Sequence, residues 1–241
     1  MFFTQNKIII FSLIILLAVG LAIFATMRNP EKSPEKTPVT TTTEKPPSQV
    51  MIAVPYLNEA PEDIWKGPWK NACEEATIVM VERFYLGDKS ISIKDGKAFM
   101  QELFDIQDAK YGSNANSDAD RMEYLIDNHT TFDGQVKRNP TLEDIKNELR
   151  NGHPVIALHR GFDLKNPHIP FLATGSSYHT TVIKGYDDVR GQFITNDPGD
   201  SIAGAGYRYD YKIFMNSLHD YQYNTRLADG SPVVIFSKKG K

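Results

Sequence analysis

The sequence predicts an α+β domain with an antiparallel sheet, set behind an apolar N-terminal segment. Three observations carry this. Between residues 72 and 151, apolar side chains recur at helical spacing; from 154 onward, short β-branched and aromatic runs alternate with Gly, Asp and Pro. Helices first and strands second is the order of an α+β chain, not of repeated βαβ units. The 241 residues, 41% hydrophobic and 24% charged, suit one globular domain plus attachments.

From the start of the chain, residues 8–27 carry no charge and lie between Lys7 and Arg28. Twenty residues at ~1.5 Å each make a helix of ~30 Å, the thickness of a bilayer core. Residues 1–27 are therefore read as a transmembrane anchor; the rival reading is a signal peptide cleaved after Ala18-Val19-Gly20. Residues 28–49, rich in Pro, Thr, Glu and Lys and without aromatics, cannot bury a core and read as an extended linker. Such a stalk suits an extracytoplasmic domain held off a membrane, spanning residues 50–241.

That domain opens with a strand-like run at 50–56. Helices are expected at 72–85, 95–110, 118–127 with Ser117 as N-cap, and 141–151 with Pro140 before it and Gly152 after it. Strands are expected at 154–159, 179–186, 191–197, 207–211 and 232–237. Asp187 to Gly191 has the composition of a hairpin turn.

Charge and cysteine content narrow the function. Net charge is -3 with no basic block, which argues against a nucleic-acid partner. Cys73 is the only cysteine, so an intrachain disulfide framework and a multi-cysteine zinc site are both excluded. A lone cysteine is by default a small buried hydrophobe. Its context here differs: Asn71 can cap the helix, Glu74 stands three residues on in a capping-box pattern, and Cys73 falls in the first turn. The unpaired N–H groups and positive dipole there favour a thiolate, so a lowered thiol pKa is expected.

Of six histidines, His129, His153, His159, His168 and His219 sit in loops, at element ends or in no motif, and a solvated or capping role is the default for each. His179 starts a strand whose hairpin partner ends in Asn196-Asp197. In an antiparallel pair with a short turn, the start of one strand lies beside the end of the next. A carboxylate there would fix the imidazole tautomer and leave the other nitrogen for the sulfur. Asp197 read alone is a turn residue before Pro198-Gly199.

The segments VPYLNEAP, NACEEAT, HPVIALHRGF, YHTTVIKGYDD, FITNDPGD and GYRYDYKIFMNSLHD resemble bacterial peptidases akin to the bacteriocin-processing, double-glycine leader peptidases, in their stand-alone, membrane-anchored form. The resemblance covers most of 50–220. It implies a papain-like α+β fold, with a helical lobe carrying the cysteine and an antiparallel sheet lobe carrying His and Asp, and a catalytic trio of Cys73, His179 and Asp197. One position departs from the pattern. Where relatives have a Gln that donates to the oxyanion hole, this chain has Glu59; Asn58, Asn71 or the Trp69 indole would then be the substitutes, or Glu59 held protonated.

The expected activity is hydrolysis of a peptide bond by a Cys-His-Asp triad, on exported or cell-envelope peptides, with no metal or other cofactor. A peptide or protein substrate and, through the N-terminal helix, the membrane are the expected partners. Two alternatives stand beside it: an inactive peptide-binding module on the same fold, which Glu59 favours, and a transglutaminase-like acyltransferase. Oligomeric state is not legible.

Overall fold

The structure, a computed structural model, describes residues 45–169 and 177–240. The anchor expected at 1–27 and the linker up to residue 44 lie outside these residues. Among the described residues, no helix is long and apolar enough to cross a membrane. One compact unit runs from Pro46 to Lys241.

Among the described residues, seven antiparallel strands form a single sheet, in the order β2-β7-β3-β4-β5-β6 with β1 also paired to β4. They are β1 (Gln49–Met51), β2 (Phe132–Arg138), β3 (Val155–Arg160), β4 (Tyr178–Asp187), β5 (Gln192–Asn196), β6 (Ala205–Asp210) and β7 (Val233–Lys239). The helices are α1 (Cys73–Tyr85), α2 (Ile93–Tyr111), α3 (Ala119–His129), α4 (Leu142–Arg150) and α5 (Tyr211–Ser217). The α+β architecture expected from the sequence is the one observed.

β3 and β4 are buried along nearly their whole length, and they read as continuous apolar and β-branched runs because helices cover them. α1 packs on β4 and α2 on α1. The consequence for α1 is burial all round: every residue from Cys73 to Glu82 is buried, including three glutamates. Halfway along β4 the register shifts at Ile183/Gly185, and a Cβ at Gly185 would collide with the Val50 carbonyl, so only glycine lets β1 join β4 there.

Several boundaries differ from the sequence-based expectation. The strand expected at 50–56 is a strand only at Gln49–Met51; Ile52 N still donates to Lys184 O at 2.7 Å, and 53–56 runs on outside the ladder, where Pro55 could not donate. Asp118, not Ser117, caps α3 by accepting from Arg121 N, while Ser117 is buried beneath it. The capping box expected at Asn71/Glu74 is absent. A capping box forms at α4 instead, where Thr141 and Asp144 bond reciprocally. β2 was not expected, because Gly134 and the charged residues around it hide its two inward apolar side chains. The run at 207–211 ends as a strand at Asp210, whose carboxylate caps α5. The hairpin turn at 187–191 and the left-handed Gly152 after α4 are as expected.

Candidate active site

Cys73 is the first residue of α1. Its N-cap is Ala72, which offers no side-chain bond, and Asn71 closes a 3-10 turn on the exposed surface. Glu74 does not reach back to the cap because it turns inward. Its Oε2 accepts the Cys73 thiol at 3.0 Å and its Oε1 accepts Ser117 N at 2.8 Å. Ser117 is in turn held by its own hydroxyl on Gln107, while Tyr178 donates to its carbonyl. A residue that could have been a helix cap thus becomes a buried clamp between the sulfur and the α2–α3 connection.

His179, the second residue of β4, is fully buried, and its Nε2 lies 2.7 Å from Asp197 Oδ1. The expected hairpin geometry accounts for this: Val182 pairs with Asn196, so the strand start and the residue after β5 lie side by side. Asp197 is fixed from three further directions. Gly199 N donates to Oδ1 at 3.1 Å, the Tyr209 hydroxyl donates to Oδ2 at short range, and Asp197 N donates to Gly204 O at 2.9 Å. A Cβ at Gly204 would collide with the carbonyls of Asp197 and Asp200, so glycine is required for that loop to close. Behind it, Asp200 accepts from Ile202 N and Ala203 N and faces His168 Nδ1 at 2.9 Å, and Asn166 Nδ2 donates to the Tyr209 hydroxyl. Tyr209 was read only as part of a strand; its alternation on β6, pointing inward, was the available signal.

Glu59 arrives on the irregular segment that follows β1. Asn196 Nδ2 donates to the carbonyls of Val54 and Pro55, and Glu59 N donates to Pro198 O at 3.0 Å, so the segment is pinned to the strand and loop that carry Asp197. Glu59 is 1% exposed, and its carboxyl faces the Cys73 thiol with no other hydrogen-bond partner among the described residues. One of them, the Cys73 sulfur and a His179 ring nitrogen all lie within 4.8 Å of one another. Because Nε2 faces Asp197, Nδ1 is the nitrogen on the opposite edge of the ring. The other candidates have partners or exposure of their own. Asn58 turns its amide to the Tyr56 hydroxyl and its carbonyl to Ala60 N; Asn71 is exposed; the Trp69 ring packs on Phe104.

The electrostatics overturn one expectation. The thiol pKa is pushed well above the ordinary range, not lowered: burial raises it first, and Glu74 and Glu59 raise it further. The helix dipole falls short of that opposition because the sulfur of a residue only 4% exposed, beside two carboxyl groups, is a poor place for another negative charge. Burial alone would depress the His179 pKa, but Asp197, with its hydrogen bond, and then Glu59 and Glu74 outweigh it and raise the ring. Burial, reinforced by Asp197 and Glu74, pushes the Glu59 carboxyl up to about 8 even against the pull of His179.

Among the other histidines, His159 is a correction: it is not solvated but fully buried on β3, directly opposite His179, with its ring on Ser217 and Thr181. His153 pairs with Glu148 at the end of α4 and His168 with Asp200.

A family model described as "Peptidase_C39 like family" matches residues 51–235. Among solved structures, a crystal structure from Bacillus anthracis described as a candidate C39-like peptidase superposes with a TM-score of 0.52. It shares 12% identity and covers 80% of this chain and 99% of its own, a likeness of fold. No curated protein matches the sequence.

Proposed function

Because the chain belongs to the C39-like peptidase family, we propose that it is a cysteine peptidase in which Cys73 is the nucleophile, His179 its base and Asp197 the residue that orients the base. One observation carries the assignment: a fully buried imidazole bonded at 2.7 Å to a carboxylate, with the sulfur within 4.8 Å of it. The carboxylate holds the proton on Nε2, which leaves Nδ1 as the lone pair that accepts the thiol proton. Both groups are shifted upward, so a weaker acid faces a stronger base.

The cycle follows. Sulfur bonds to the carbonyl carbon, the Cys73 proton passes through His179 to the leaving amine, and the C–N bond breaks to leave a thioester. His179 next takes a proton from water, whose oxygen attacks the thioester carbon; the C–S bond breaks and His179 returns the proton to the sulfur. At neutral pH Glu59 is mostly protonated, so its O–H is a donor for the oxyanion where a side-chain amide would otherwise serve. Substrates are peptides or proteins. Exported or cell-envelope peptides fit a domain carried on a Pro/Thr-rich linker behind an apolar segment at 1–27, with that segment as a membrane anchor and the domain outside the cytoplasm.

One alternative has its own observation: the thiol donates to Glu74, and a buried carboxyl sits at the expected oxyanion position, as in a silent peptide-binding module. Labelling with a peptide-based cysteine-reactive probe separates the two, and Cys73 is the only cysteine to label. The peptidase predicts labelling and turnover, with Cys73→Ala reducing turnover by at least ~10⁴-fold. Turnover that survives Cys73→Ala sinks the mechanism. Peptide binding with neither labelling nor turnover favours the silent module.

A further inference from the structure

We propose that Glu59, Cys73 and His179 also form a site for one zinc-like divalent cation, whose binding silences the nucleophile reversibly. The site itself stands on geometry; only its regulatory consequence rests on the peptidase reading.

Three separately anchored parts of the chain converge here. Glu59 is held through the Glu59 N–Pro198 O bond, Cys73 by the start of α1, and His179 by Asp197. Each offers one donor atom, and the three atoms lie within 4.8 Å of one another. In a tetrahedral zinc site, bonds of ~2.0–2.3 Å put ligand atoms ~3.3–3.6 Å apart. Side-chain rotations of about 1 Å would close the set. Asp197 is already the outer partner that such a site needs, since a carboxylate on the far ring nitrogen fixes the tautomer and aims the near one.

The second observation is the carboxyl group itself. Apart from the Cys73 thiol, the Glu59 oxygens have no hydrogen-bond partner among the described residues, while the residue is 1% exposed. A buried carboxyl with no other partner is costly, and it points at a thiol and an imidazole. With Glu74 and Asp197 also buried around one imidazole, the pocket holds three carboxyl groups and a thiol. Protons can balance that excess, and so can a divalent cation. One sulfur, one nitrogen and one oxygen suit zinc or its borderline neighbours. Calcium and magnesium need oxygen-rich shells that this pocket does not supply.

Binding is an exchange. The thiol and the Glu59 carboxyl release their protons to solvent, sulfur and oxygen bond to the metal, and His179 joins as neutral imidazole. Three protein ligands leave one position for water. The sulfur and the ring nitrogen are then unavailable for acyl transfer until a chelator removes the ion.

Cobalt(II) serves as the probe, titrated into the full-length protein and followed by absorption. The expected result is one equivalent bound, a thiolate-to-cobalt charge-transfer band and tetrahedral d–d bands. Removing an outer-shell partner already costs ~10–100-fold in metal affinity, so loss of a ligand in Glu59→Gln should cost at least about 100-fold. Cys73→Ala should abolish the charge-transfer band. Independently of any variant's folding, zinc should protect Cys73 of the wild-type protein from iodoacetamide, and chelator should restore alkylation. A cobalt spectrum without a thiolate band, unchanged affinity in a folded Glu59→Gln protein, or alkylation indifferent to zinc would each overturn the site. The two readings fail separately: a protein that binds cobalt through Glu59 but never turns over peptide loses only the peptidase mechanism. Cys73-dependent turnover indifferent to zinc loses only the metal.

Discussion

Two imidazoles face each other across β3 and β4, and their surroundings give them opposite chemistry. His159 and His179 are register partners, and both are fully buried. Around His159 the partners are hydroxyls, with Nδ1 2.9 Å from Ser217 and Nε2 3.0 Å from Thr181. The Ser217 proton goes to Phe214 O, so Ser217 accepts from Nδ1–H and Thr181 donates to Nε2: a neutral ring with every polar atom satisfied. Burial, helped by the nearby His179 and His219, keeps it neutral by lowering its pKa. Around His179 a carboxylate replaces a hydroxyl, and the balance reverses to raise the pKa. Strand position and burial are shared, so the partner atom decides which histidine can carry a proton.

The largest break in this comparison should come from Asp197→Asn, which gives His179 a neutral partner and so makes its pocket resemble that of His159. An amide can present either its N–H or its oxygen, so the tautomer is no longer enforced. Turnover should fall by roughly 10²–10⁴-fold. The limb of the kcat/KM profile that reports the imidazole should move to lower pH, because the main group raising the ring's pKa is gone. A variant with normal turnover and an unmoved limb would show that Asp197 is no more than the turn residue it resembles in isolation.

Glu59→Gln sharpens the same contrast from the other side. Measured with chelator present, wild-type turnover should decline as pH passes about 8, where Glu59 ionises and stops donating. The amide variant should keep its rate, and the gap should widen towards ~10²–10³-fold, the usual effect of one oxyanion donor. Stability follows the same proton. The folded pKa lies above the ordinary 4.5, so the protonated fold is favoured at low pH and that advantage is lost as pH rises towards about 8. The unfolding free energy of Glu59→Gln relative to wild type, followed by melts across pH, should therefore climb between those values by up to a few kcal/mol, at about 1.4 kcal/mol per pH unit, then level off. A gap flat in pH would mean that Glu59 is already ionised.

Much of this was legible in the sequence, and its limits have physical causes. The order of helices and strands, the hairpin at 187–191 and the meeting of His179 with Asp197 follow from periodicity and antiparallel register, which are local rules. What Glu74 does is not local. The spacing from Asn71 to Glu74 permits a capping box, but Ser117 N, 43 residues on, offers the carboxyl a buried partner instead. The thiol pKa failed for the same reason: the helix dipole can be read from sequence position, whereas burial and two converging carboxyl groups cannot. β2 is hard to read because Gly134 and its charged neighbours leave only Phe132 and Val136 as inward apolar side chains, and their cover comes from the distant α3 and β7. Tyr209 escaped notice because a tyrosine on a strand has no motif until its hydroxyl has a target.

The smallest effect on catalysis should come from Ser217→Ala, and its value lies in what it leaves unchanged. Removing the hydroxyl orphans the buried Nδ1–H of His159, which costs ~1–3 kcal/mol. In a domain of this size that lowers the melting temperature by about 2–4 °C per kcal/mol. The kcat/KM profile should keep both its height and its limbs, since His159 stays a neutral ring bonded to Ser217 and Thr181 and not to the sulfur or Asp197. Thermal melts and pH profiles on one preparation test the two halves together. If the imidazole limb moved with Ser217→Ala, the two rings would be titrating as a coupled pair across β3 and β4, and the division of labour between them would have to be redrawn.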